Sequence, residues 1–64
     1  MTLERAKELL QLQVDLGGGY NRNAARVILA EVQRQHGQEA VDRLIRDLDL
    51  ERHFGLRPGT AFHY

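Results

Sequence analysis

The residues best suited to hold an anion are Arg22 and Arg26, one helical turn apart and just beyond the run Gly17-Gly18-Gly19-Tyr20-Asn21. A glycine run ahead of a helix offers backbone N–H groups, and the helix start adds positive potential, so an anion or nucleotide site at the triplet is one reading. The recognised nucleotide loops need a preceding strand and either Gly-x-Gly-x-x-Gly or a Gly-Lys-Ser/Thr ending, and the sequence offers neither. The triplet reads better as an interhelical turn. The arginine pair is then either a solvated face or a grip for a phosphate or a partner's carboxylates.

Other reactive types are scattered. His36, His53 and His63 fall in three segments, none three to five residues from another, so the usual helical metal clamp is missing and no metal is expected. His36 has a simpler use as a cation near the negative end of a helix. The chain has no serine and no cysteine, and its hydroxyl groups are Thr2, Thr60, Tyr20 and Tyr64, from which no nucleophilic triad can be written. Asp47, Asp49 and Glu51 could serve acid–base chemistry only if one of them were desolvated in a pocket, and they read as a solvated acidic face. No catalytic residue, cofactor or metal is assigned, and the chain is not expected to be an enzyme.

The elements that must position these residues are helices. Thr2 is the N-cap of a first helix over residues 3–16, with Leu3, Ala6, Leu9, Leu10, Leu12, Val14 and Leu16 at helical spacing and Gly17 at its end. Asn21 and Asn23 are candidate N-caps for a second helix over 22–36, whose apolar face is Ala24, Ala25, Ile28, Leu29 and Val32, and Gly37 stops it. A third helix over 38–53 carries Val41, Leu44, Ile45 and Leu48 in a 3-4-3 seam. Glu39 with Arg43, and Asp42 with Arg46, are acid-before-base pairs on its outer face. Beyond it, Gly55 and Pro58-Gly59 mark an irregular tail over 54–64 that holds Phe54, Leu56, Phe62 and Tyr64. The expected fold is an all-α three-helix bundle with that aromatic-containing tail folded over it. Its expected core is Leu9, Leu10, Ile28, Val32, Val41, Leu44, Ile45 and Leu48.

Composition narrows the function classes. With 64 residues there is one domain, and a core this small offsets the cost of ordering the chain only narrowly. Without cysteine the disulfide remedy is absent, so association, most simply as a homodimer, is expected. The longest apolar run is Val27-Ile28-Leu29-Ala30, and charges interrupt the first eight residues, so neither a membrane span nor an export signal is expected and a cytoplasmic location is. Formal charge is zero, which opposes nonspecific attachment to nucleic acid. It is unevenly spread: residues 20–36 sum to +2 and residues 38–51 to −3.

These bounds point to a small regulatory or accessory protein that works by protein–protein binding. Arginines and aromatics are enriched among interface anchors, so Tyr20, Arg22, Arg26, Phe54, Leu56 and Phe62 are the candidate partner-binding residues. The same tail residues could instead cap the chain's own core. The alternative function is a dimeric helix-turn-helix-like nucleic-acid binder, its corner at Gly37 and its contacts from Arg22, Arg26 and Arg34. The acidic third helix, which such a protein would set into the major groove, opposes it.

Overall fold

The computed structural model describes residues 1–17 and 19–63, of residues 19 and 20 the helical backbone alone. Four helices follow one another: α1 Leu3–Leu16, α2 Gly19–His36, α3 Gln38–Asp47 and α4 Leu50–Phe54. No strand occurs among the described residues.

The first helix has the expected bounds for the expected reason. Thr2 is extended, and its hydroxyl accepts the Arg5 N–H at 3.1 Å, relieving one of the donors that a helix start leaves unpaired. At the other end Gly17 takes a positive φ of 62° and its N–H closes on the Gln13 carbonyl at 3.2 Å. The second helix starts three residues earlier than its asparagines suggest. Asn21 sits inside the first turn, where its side-chain amide donates to the Gly17 carbonyl and fastens the corner. Gly37, at φ 89°, is the whole connection from α2 to α3.

The third helix is shorter than its periodicity predicts, and the bundle has four helices rather than three. On one continuous helix Leu48 and Leu50 would point about 200° apart, so only one could face the core. Asp49 breaks the helix by taking left-handed angles, φ 54° and ψ 45°, and the chain turns so that both are buried, at 8% and 0% exposure. Aspartate is among the few residues that tolerate this region, and Arg52 pairs with its carboxylate.

The core gathers Ala6 and Leu10 of α1, Ala25, Leu29 and Val32 of α2, Val41, Leu44, Ile45 and Leu48 on the α3 side, then Leu50, Leu56 and Phe62. Leu9 and Ile28, expected inside, are only partly buried, because α1 turns Ala6 and Leu10 inward and α2 turns Ala25 and Leu29. Among the described residues no charged or polar residue is buried. The accessible surface, 4157 Å², matches the roughly 4200 Å² that size scaling gives for a self-contained chain of this mass.

After Gly55 the chain has no helix, but it is held. Arg57-Pro58-Gly59-Thr60 is a tight turn closed by Thr60 N–H on the Arg57 carbonyl at 3.3 Å, with Gly59 at φ 88° in the position that demands glycine. Three polar side chains of α2 and α3 grip it. Asp42 Oδ1 accepts the Gly59 N–H at 2.7 Å, Gln38 Nε2 donates to the Thr60 carbonyl at 2.9 Å, and Gln33 Oε1 accepts the Phe62 N–H at 3.4 Å. Gln33 also donates to Gln38, and Gln38 to Asp42, so the three form one polar ladder. The two acid-before-base pairs do not close: Asp42, whose Oδ1 serves Gly59 and Gln38, forms no ion pair with Arg46 within 4 Å, and Glu39 forms none with Arg43. Among the described residues the ion pairs are Arg5–Glu8, Lys7–Asp47, Arg34–Glu31, Arg52–Asp49 and Arg57–Glu51, on exposed side chains apart from the partly buried Glu31, and worth little each.

Candidate functional site

The C-terminal segment does not lie flat on α2. Between them runs an open cleft of about 480 Å³, walled by Arg22 and Arg26 on one side and by residues from Gly55 to Leu56, Arg57 and Thr60 to His63 on the other. Four elements of the architecture make it: the helical spacing that stacks Arg22 on Arg26, the left-handed Gly55 that ends α4, the Pro58-Gly59 turn, and the anchoring of that turn on Asp42. Leu56 and Phe62 belong to the chain's own core, so they form the floor of the cleft.

The chemistry of the walls is one-signed. Three guanidinium groups and the His63 imidazole line the cleft, and none of the described lining residues is a carboxylate. Arg22 is tethered: its Nε donates to the Phe54 carbonyl at 2.8 Å, at the negative end of α4, and its two terminal nitrogens make no hydrogen bond among the described residues. Arg26 has no ion-pair or hydrogen-bond partner among the described residues, and Arg57 lies 3.7 Å from Glu51 at the rim. By contrast, the hollow between α1 and α3, about 660 Å³, sets Arg43 and Arg46 against Glu39 and Asp47, so its charges offset.

A second hollow of about 380 Å³ adjoins the cleft and shares Phe62 and His63 with it. Val27 and Ala30 line this groove, and Val27 is 47% exposed. Glu31 and Arg34 stand beside them and pair with each other.

The structure therefore brings together Arg22, Arg26, Leu56 and Phe62, and ties Phe54 to them through its carbonyl. The Phe54 ring is half-buried and lies tilted beside His53. The side chain of Tyr20 lies outside the described residues, as does Gly18 of the glycine triplet. Arg34 is about 80° around α2 from Arg26 and held by Glu31, so it does not join the other two arginines. Arg57, His63 and the ladder of Gln33, Gln38 and Asp42 were not foreseen. The signal for the ladder was available in Gln38 and Asp42, polar residues one turn apart beside an apolar seam.

The ionisation of Asp42 is perturbed. The hydrogen bond from the Gly59 N–H, then that from Gln38, hold its carboxyl below the usual carboxylate range, with the nearby Arg46 charge adding to them and partial burial opposing. Among the described residues no group of three or more histidines or carboxylates is placed to hold a metal, and no helix is long and apolar enough to cross a membrane. No protein-family model matches the chain, and no match is found among curated proteins or solved structures.

Proposed function

We propose that this chain is a small accessory module that acts by binding another protein rather than by catalysis, and that the partner's segment lies along the arginine cleft and the groove that continues from it. The observation that carries the reading is the continuity of the two hollows across Phe62 and His63. A cationic half followed by a half containing exposed Val27 suits a peptide with an acidic residue next to an apolar one. Arg22 and Arg26 supply the charged contacts, with Phe54 positioning Arg22 and Leu56 and Phe62 giving the floor.

A regulatory role, a cytoplasmic setting and self-association belong to the same proposal. The surface for a second copy is the outer side of α1, where Leu12 and Leu16 stand exposed, Leu16 at 64%. Sedimentation should give the mass of two chains, falling to one in Leu16→Glu; a single-chain mass in the parent protein removes this part.

The docking reading is tested by selecting displayed random peptides on the purified chain. Recovered sequences should pair acidic with apolar residues, lose binding to Arg26→Ala and bind Val27→Asp weakly. Peptides that bind both variants as well as the parent would overturn it.

A further inference from the structure

We infer that the arginine cleft is a receptor for a single phosphorylated side chain, so that docking of the partner segment is switched on by its phosphorylation. The inference rests on the docking reading above and deepens it.

The first argument is charge. The cleft presents Arg22 and Arg26, neither paired with a carboxylate among the described residues, beside Arg57, which is paired with Glu51, so two guanidinium charges stand uncompensated where one aspartate or glutamate would offset one. A phosphate monoester carries close to two negative charges at neutral pH and three acceptor oxygens, which several guanidinium forks can share. Lysine would serve a point charge; arginine serves planar, paired contacts. All three cations of this site that are charged at every physiological pH are arginines.

The second argument is preorganisation. Arg22 is already held through Nε by the Phe54 carbonyl, so its remaining donors meet a ligand without first being ordered. The floor of Leu56 and Phe62 is part of the core and does not have to form on binding.

The third argument is the length of the positive surface, which decides between a phosphopeptide and a nucleic acid. It ends on both sides: Glu51 offsets Arg57 at one end, and in the adjoining groove at the other Glu31 and Arg34 offset each other. A continuous polyanion crossing the cleft would find no net positive charge beyond it on either side. One phosphoryl group would not, and the neighbouring Val27 and Ala30 would meet the residues next to it.

The test titrates the ¹⁵N-labelled chain with a short capped peptide bearing one phosphoserine between leucines, with its serine and glutamate counterparts, with inorganic phosphate, and with a short DNA duplex. The phosphoserine peptide should bind about tenfold or more tighter than the glutamate peptide, the worth of one charge-assisted hydrogen bond. Shifts should centre on Arg22, Arg26, Leu56 and Phe62. Arg26→Ala should remove that preference and Arg26→Lys should restore it only in part, while both keep the parent's spectrum elsewhere. Equal binding of the phosphoserine and glutamate peptides would overturn the phosphate inference and leave the docking reading standing. Inorganic phosphate binding as tightly as the peptide would reassign the cleft to a free anion. Binding of the duplex alone, steeply reduced by salt, or of no probe at all, would overturn both.

Discussion

The bundle of α1, α2 and α3 and the segment from Gly55 to His63 are built by opposite means. Leu10, Leu29, Val32, Val41 and Ile45 hold the bundle by apolar burial, which is non-directional and tolerates small shifts. The segment has two buried anchors, Leu56 and Phe62, and is otherwise set by directed hydrogen bonds to Gln33, Gln38 and Asp42. Area keeps the first region folded; geometry keeps the second at a fixed stand-off from Arg22 and Arg26. The cleft exists because the segment is positioned rather than collapsed.

The comparison can be broken most severely in the bundle. Leu29→Ala should cost about 2–5 kcal/mol, a large share of the roughly 3–10 kcal/mol that a chain of this size possesses. Urea unfolding followed by circular dichroism should show a midpoint lost or moved far down. Phe62→Ala removes a side chain of comparable burial from the segment, and its consequence should be local as well as global. Amide exchange should rise at Gly59 to Phe62 while α1 and α2 keep protection; equal loss of protection everywhere would mean that the two regions are one cooperative unit.

Gly55→Ala sharpens the contrast from the backbone side. A methyl group there meets no atom within 4 Å, so the cost is conformational alone, about 1–2 kcal/mol for the left-handed angles. Thermal unfolding checks it. A smaller effect is expected from acid. The folded-state ionisation of Asp42 is depressed, so its anchoring is complete above the ordinary carboxylate range and fades as pH falls through and below it. The protection factor of the Gly59 N–H, its intrinsic exchange rate over the observed one, should fall below about pH 4, a range set by ordinary aspartate. Asp42→Asn, which retains an acceptor oxygen but no charge, should flatten that dependence; Asp42→Ala should release the turn at every pH. The smallest effect is Arg26→Ala, which should leave stability within about 0.5 kcal/mol of the parent, as for other exposed positions without partners.

Much of the bundle is legible from residue pattern, because Thr2, Gly17 and Gly37 are local signals and the α3 seam is a strong repeat. The break at Asp49 is not. Leu48 and Leu50 each extend a plausible helical stripe, and only the competition of both for one interior forces the left-handed turn. In the site, Arg22, Arg26, Leu56 and Phe62 can be picked out by residue type. Arg57 and His63 cannot, since the tail has no period to place them and their position depends on how Gly59 and Thr60 are tethered to α3. A tether between residues 17 apart leaves no periodic trace.

The joint at Asp49 also makes the molecule unusually sensitive to chain length at one point. Insert a single amino acid between Leu48 and Leu50 and the turn has two sites at which to form, with every later residue displaced by one register. Leu50 would then lose its berth or drag the following segment away from Asp42, and the spacing between Arg22 and Arg57 would go with it. An insertion scan should find this position among the least forgiving of the whole chain, although the Asp49 side chain is exposed and its one ion pair, with Arg52, lies at the surface.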